Sequence, residues 1–68
     1  MCEFTVYLLE DSSAERRMVT KNILAAKRKE GRVLLMDAFG DITPVDNATI
    51  EEVNTLSQEM ILKKKVLS

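Results

Sequence analysis

Histidine is absent from this chain of 68 residues, and cysteine occurs only once, as Cys2. The first absence removes the commonest metal ligand of proteins and the commonest general base. A single cysteine has no disulfide partner within the chain, and a free thiol is typical of the reducing cytoplasm. Since Cys2 has no evident base beside it in the sequence, we predict that the protein is not an enzyme.

Aromatic residues, net charge and long apolar runs are also scarce. Aromatics make up 4 % of the residues, and the formal net charge is −1, which gives no electrostatic case for nucleic-acid binding by the molecule as a whole. No apolar run approaches the roughly 18 residues of a membrane span. The start of the sequence also lacks the basic and apolar regions of a signal peptide. We therefore expect one small cytoplasmic domain over residues 1–68, with no membrane association.

The short length predicts that the domain needs support beyond its own core. A chain of this size buries only about 60 % of its unfolded surface, so its core is marginal. The apolar fraction of 46 % and the charged fraction of 31 % are those of a folded domain. Because an internal disulfide is excluded, we expect oligomerisation or a bound metal to supply the additional stabilisation.

The clearest local pattern lies in the first nine residues. Cys2, Phe4, Val6 and Leu8 alternate with the residues between them, which is the period of a strand with one face in a core. Further along, the continuous apolar run 33–36 predicts a strand that is buried on both faces.

Glycine and proline mark the turns. Gly31 follows Lys29 and Glu30 and precedes Arg32, and its tolerance of positive φ favours a tight hairpin turn there. Pro44 has no N–H for a ladder, so the short strand predicted over 42–45 should lie at an edge of the sheet.

Two longer segments are ambiguous between helix and strand. Ser12 and Glu15 form a capping box and Gly31 is a good C-terminal stop, which favours a helix near 13–30. Apolar residues spaced by three and four favour a second helix near 49–64, and the result would be an α+β chain. The alternative is an all-β chain with strands over 18–20, 23–29, 50–54 and 59–66.

Several short segments, taken together, carry a family resemblance. They are Met1 to Leu8, Lys29 to Leu35 followed by Asp37, Gly40-Asp41, and the segments 50–54, 56–57 and 59–62. In these segments the chain resembles the CooT family of small proteins, which are linked to nickel delivery for carbon monoxide dehydrogenase and have relatives labelled as predicted RNA-binding proteins. Two departures are the longer connection 10–17 and Asn54, where we expect an aspartate.

The resemblance implies an all-β fold, a small and strongly bent β-barrel of the Sm or SH3-like kind, that forms a homodimer. It also implies that Cys2 is the nickel ligand and that the protein stores nickel or delivers it to a metalloenzyme client. We therefore predict the all-β alternative, because packing in so small a fold outweighs local propensity.

Cys2 is accordingly the candidate metal ligand. Its small size permits removal of Met1, which would leave an amine and a thiol on one residue, and sulfur with nitrogen suits square-planar Ni(II). One chain offers too few donors for a closed site, so the predicted site bridges two chains. The alternative is a half-buried cysteine that packs as a small hydrophobic residue, and cobalt, copper or zinc would be alternatives to nickel.

Basic residues give the second candidate site. Lys27, Arg28, Lys29 and Arg32 surround the predicted hairpin, and three lysines lie near the end of the sequence. Cations of this kind contact phosphates, so an Sm-like RNA-binding module is the alternative function. RNA-binding modules also use aromatic stacking platforms, which are scarce here, and a solvated surface explains the same residues without any ligand.

Overall fold

A computed structural model describes residues 2–10 and 15–65 of the chain, so that Met1, residues 11–14 (with Ser12 of the predicted capping box) and residues 66–68 lie outside the described part. It consists of six β-strands in one sheet, of spatial order β4-β3-β2-β1-β6-β5. In chain order the strands are β1 (Phe4–Leu9), β2 (Arg16–Lys29), β3 (Arg32–Asp37), β4 (Ile42–Asp46), β5 (Ala48–Asn54) and β6 (Glu59–Lys64).

The all-β prediction is confirmed, and the α+β alternative is wrong. Both segments that were ambiguous form strands: β2 replaces the helix near 13–30, and β5 and β6 replace the helix near 49–64. The described ranges contain no helix, and thus none that is long and apolar enough to cross a membrane. Main-chain pairing with neighbouring strands has therefore outweighed the local helix signals.

The long strand β2 shapes the sheet, because its two halves pair with different neighbours. Residues 16–23 pair with β1, and residues 23–29 pair with β3. Asn22 has a φ of 62°, and the ladder with β3 shifts register between Ile23 and Ala25. Bulges of this kind bend a strand and increase its twist, so the sheet changes direction near residues 22–25.

The sheet bends but is not closed into a barrel. Its edge strands β4 and β5 do not pair in a ladder within the described residues, yet only Asn47 separates them in the chain. The two edges therefore come together at one corner. Pro44 lies in edge strand β4, as its missing N–H predicts.

The core lies inside this bend. Alternate residues of β1 face it, since Val6 and Leu8 are buried, and this confirms the period-2 interpretation of the first strand. The other buried apolar residues come from the remaining strands: Ile23, Val33, Leu35, Val45, Ala48, Met60, Ile61 and Leu62.

Strand β3 is buried on one face rather than two. Val33 and Leu35 are buried, whereas Leu34 is half-buried and Met36 is 39 % exposed on the other face. Within the described residues no second layer covers that face, so a single chain buries only one face of this strand.

Candidate metal site at the start of the first strand

Cys2 lies two residues before β1, and its thiol is free and exposed. The alternative of a half-buried, packed cysteine is therefore wrong for this chain. The neighbouring Glu3 is half-buried, and its Oε1 accepts a hydrogen bond of 2.7 Å from Nδ2 of Asn22. This bond ties the segment that carries Cys2 to the bend of β2.

Two turns flank this segment, one on each side along the sheet. On one side, Ile23 pairs with both Phe4 and Asp37, which places the end of β3 and the turn after it next to the bend. On the other side, the N–H of Thr5 donates to the carbonyl of Gln58 at 3.0 Å. We call the region formed by Cys2, Glu3 and the turns 38–41 and 55–58 the Cys2 end.

Both turns have the same internal construction. Oδ1 of Asp37 accepts the N–H of Phe39 at 2.9 Å and that of Asp41 at 3.0 Å. Oδ1 of Asn54 likewise accepts the N–H of Leu56 at 2.9 Å, and a second N–H from Ser57 at 3.1 Å. In each case an Asx side chain at the end of a strand caps the turn that follows.

The apolar residue two positions after each cap projects into solvent. Phe39 is 90 % exposed and Leu56 is 98 % exposed. The sequence interpretation missed this pair, although the repeated pattern of Asx, any residue, then a large apolar residue at a strand end was a visible signal. Asn54 stands where we expected an aspartate. Its side-chain carbonyl oxygen accepts both hydrogen bonds of the turn, and an aspartate carboxylate would offer the same acceptor.

A concavity of about 330 Å³ opens at Glu3, the residue that follows Cys2. Its lining includes both acidic and basic side chains, and Phe39 forms part of its wall. The lining residues are Glu3, Lys21, Asn22, Asp37, Ala38 and Phe39. The surface at Glu3 therefore combines an exposed aromatic ring with charges of both signs.

The ligands for a metal at this end are few. Within residues 2–10 and 15–65, no group of three or more Cys, Asp or Glu side chains is placed to hold an ion. A single chain therefore contributes one thiol, together with backbone groups, to any site at Cys2. This donor set suits a soft or borderline metal, but only if a second molecule supplies further ligands.

The four basic candidates lie on the hairpin of β2 and β3, where all of them are exposed. Lys29 pairs directly with Arg32, and Nε of Arg32 donates to Oδ1 of Asp46 at 2.9 Å. Glu30 and Gly31 have φ values of 52° and 76°, which is typical of a two-residue type I′ hairpin turn. The predicted tight turn is thus confirmed.

The structure adds three lysines to this group. The N–H of Ala48 donates to the carbonyl of Gly31 at 3.3 Å, and the N–H of Lys65 donates to the carbonyl of Asn47 at 2.6 Å. These bonds bring the final residues of β6 to the same side as the hairpin turn. We call this region the basic end; its cations are Lys27, Arg28, Lys29, Arg32, Lys63, Lys64 and Lys65.

No aromatic side chain lies at the basic end of the described chain. Phe39 is in the turn after β3, and Phe4 begins β1. Tyr7 is covered by Arg16, whose guanidinium carbon lies 4.2 Å from the ring centroid. Nη2 of the same arginine is 3.4 Å from Oε2 of Glu59. The basic end can thus contact phosphates, but it offers no ring on which a base could stack.

Comparison with known proteins supplies a family and a fold. The family model described as CO dehydrogenase accessory protein CooT matches residues 1–63. A crystal structure designated a CooT from Carboxydothermus hydrogenoformans superposes with a TM-score of 0.80 at 15 % identity, over 96 % of this chain and 100 % of that one. The comparison with curated proteins gives no match. At this identity the structural likeness concerns the fold.

Proposed function

Because the chain belongs to the CooT family of CO dehydrogenase accessory proteins, we propose that it is a cytoplasmic nickel carrier without enzymatic activity of its own. It binds Ni(II) through Cys2 and hands the metal to a metalloenzyme client during maturation. The observation that carries this proposal is the position of Cys2: the single cysteine is exposed at the end of the molecule, where a second protein can approach it.

The number of available donors favours a site shared by two chains. One chain brings one thiolate, and a chain from which Met1 has been removed adds the amine of Cys2. Two chains related by a two-fold axis bring two sulfurs and two nitrogens, which is the set that square-planar Ni(II) accepts. The proposed stoichiometry is therefore one ion for two chains.

A site of this kind is suited to cargo rather than to a resident metal. Structural metal sites are closed and completely ligated by protein groups, whereas Cys2 is exposed and has no other cysteine, histidine or acidic cluster around it in the described residues. Nickel held there is open to an incoming ligand. Transfer to a client can then proceed by exchange of one ligand at a time.

The first prediction tests this site by titration. Ni(II) added to the protein should produce thiolate charge-transfer absorption that saturates at one ion for two chains. The Cys2→Ser variant should lose this absorption and lower the affinity for nickel by at least about 100-fold, since two of the four donors disappear. Because Cys2 is exposed, the variant should keep the fold of the parent protein.

The contribution of the nitrogen donors is tested with a protein that keeps Met1. A protein that keeps Met1 retains the thiol but has no free amine on Cys2, and it should bind nickel more weakly than the processed chain. Unchanged nickel affinity in Cys2→Ser, measured by calorimetry, would contradict the proposed function.

The basic end supports a second candidate function, RNA binding. The observation that favours it is the convergence of seven cations, from β2, β3, β6 and the residue after β6, at one end of the sheet. We predict that RNA affinity, where present, falls steeply with salt and drops when Lys27, Arg28 and Arg32 are neutralised together. Lack of binding to pooled RNA at low salt, measured by fluorescence anisotropy, would remove this candidate.

A further inference from the structure

The outer face of strands β2, β3 and β4 carries an apolar concavity that the proposed function does not use. Its volume is about 190 Å³, and it is lined by Ala25, Lys27, Leu34, Met36 and Ile42. Met36 is 39 % exposed and Ile42 is 55 % exposed. The solvent face of an antiparallel sheet is usually polar, so a contiguous apolar patch on it indicates an interaction surface.

The register of the three strands arranges this face in cross-strand rows. The first row is apolar, because Met36 pairs with Ala25 on one side and with Ile42 on the other. In the second row Leu34 pairs with Lys27. Successive rows lie two residues apart along β3, which is about 7 Å. The concavity therefore lies over the first two rows, with one lysine at its margin.

The third row is charged. Arg32 pairs with Lys29 and with Asp46, and its Nε donates to Oδ1 of Asp46 at 2.9 Å. Among the described residues Lys27 and Lys29 have no ion-pair partner. We call the surface formed by the three rows the outer hairpin face. It carries more positive than negative charge, although the net charge of the chain is −1.

We infer that the outer hairpin face docks an acidic segment of a partner protein. A large apolar side chain of the segment enters the concavity over Leu34, Met36 and Ile42. Carboxylates about 7–13 Å further along the segment pair with Lys27 and Lys29, since this is the separation of the rows. The inference goes beyond nickel transport and does not depend on a metal at Cys2.

Charge complementarity favours such a partner over a second copy of this chain. In a symmetric contact through this face, each copy offers the same three rows to the other. The one carboxylate in these rows is that of Asp46, which is already bonded to Arg32. A second copy therefore cannot neutralise Lys27 and Lys29 through this face, whereas an acidic segment covers the apolar rows and the lysines together.

The apolar rows also favour protein over RNA. Phosphates could contact the cations of the outer hairpin face, which belong to the basic end as well. Bases, however, bind by stacking on rings, and no aromatic residue stands in the three rows. RNA would thus use Lys27 and Lys29 and leave Leu34, Met36 and Ile42 uncovered. A protein segment uses both parts of the face.

The test begins with a display library of random peptides of about twelve residues, selected on the full chain without Ni(II). This length spans the three rows in an extended or a helical conformation. The enriched peptides should combine Asp or Glu with a large apolar residue, and their affinity should fall with salt. Absence of enrichment, or enrichment of basic or uncharged peptides, overturns the inference.

The dissociation constant of one enriched peptide, measured by fluorescence anisotropy, then tests the two parts of the face. The double variant Met36→Ser, Ile42→Ser should weaken binding by about tenfold or more, because it removes the walls of the concavity. Lys27→Glu should weaken binding by a similar factor, because it places like charges together. All three residues are exposed, so circular dichroism of the variants should match that of the parent protein.

Arg28→Glu is the matched control for charge. Arg28 pairs with the buried Val33 and therefore lies on the opposite face from Lys27, although the two are neighbours in sequence. Met18→Ser is the apolar control, since Met18 is 54 % exposed in the β1–β2 ladder. Both controls should stay within about threefold of the parent value. Equal losses in Arg28→Glu and Lys27→Glu would show that only net charge matters, and would overturn the inference.

Three further results separate this inference from the other candidates. A Cys2→Ser variant that still binds the peptide keeps the docking face even where nickel binding is lost. Pooled RNA that competes with the peptide, and binds Met36→Ser, Ile42→Ser like the parent, assigns the cations to RNA and overturns the inference. A change of oligomeric state in that double variant, measured by sedimentation equilibrium, assigns the face to a second copy and also overturns it.

Discussion

At the Cys2 end each turn has a side-chain cap in addition to a residue with positive φ, whereas the connections at the basic end are formed by positive-φ residues and main-chain bonds. Asp37 and Asn54 accept N–H groups from the turns that follow them, and Gly40 and Gln58 in these turns have φ values of 86° and 58°. At the basic end, Glu30, Gly31 and Asn47 all have positive φ, and main-chain hydrogen bonds join the two connections to neighbouring strands.

This difference determines which positions of each end are free to carry function. A side-chain cap leaves the residue at the tip of the turn unconstrained, so a large apolar group such as Phe39 or Leu56 can occupy it. A type I′ turn instead restricts its own central residues to those that tolerate positive φ. At the basic end, functional charges therefore lie on the strands beside the turn.

The largest effect on stability that we predict from this comparison comes from the backbone-held end. Gly31→Val places a β-branched residue at a φ of 76°, where L residues are strained, and should lower the free energy of unfolding by about 1–2 kcal/mol. No heavy atom lies within 4 Å of the added Cβ, so the loss comes from conformation rather than from a clash. Urea unfolding at one fixed protein concentration measures it.

Gly31→Asn is the control for this prediction, because asparagine tolerates left-handed backbone better than other residues that carry a Cβ. It should lose clearly less stability than the valine variant. Equal losses in the two variants would show that the turn does not depend on positive φ, and the contrast between the two ends would then disappear.

The sequence predicted those strands whose pattern is local. Val6 and Leu8 alternate with half-buried neighbours as expected, and Pro44 lies in an edge strand. Gly31 forms the predicted tight turn because its conformation is a property of the residue itself. The same alternation put Cys2 on the core-facing side of the first strand, whereas the structure leaves its thiol exposed before the strand begins.

The segments that local signals described wrongly are those whose structure depends on distant partners. Ile50, Val53 and Leu56 have helical spacing, yet Ile50 is half-buried while Val53 and Leu56 are exposed, so the spacing does not mark a buried face. In β2, pairing with both β1 and β3 overrides a capping box and a glycine stop. Such pairing is tertiary information that propensity does not contain.

The candidate sites divide in the same way. Cys2 could be named as a candidate from the sequence, because the chain has one thiol and no histidine and the family resemblance implies a ligand at this position. The approach of Lys63 to Lys65 toward the hairpin instead depends on contacts made by Gly31 and Asn47. The exposure of Phe39 and Leu56 is likewise a feature that depends on the fold. Their exposure follows from turn geometry that only the structure displays.

The smaller predicted effect concerns a side-chain cap at the Cys2 end. Asn54→Ala removes the acceptor of two backbone N–H groups, from Leu56 and Ser57. Because this turn is exposed and water replaces part of what is lost, the free energy of unfolding should fall by about 0.5–1.5 kcal/mol. Amide hydrogen exchange at Leu56 and Ser57 should also become faster.

Asn54→Asp separates the cap from the amide group. Aspartate keeps the oxygen that accepts both bonds, so its stability should stay within about 0.5 kcal/mol of the parent value and the two amides should keep their protection. A loss as large as that of the alanine variant would show that the Nδ2 group of Asn54 matters and that the turn is not held by Oδ1 alone. Retained protection of both amides in Asn54→Ala would instead show that backbone conformation holds this turn too, and that the two ends are built alike.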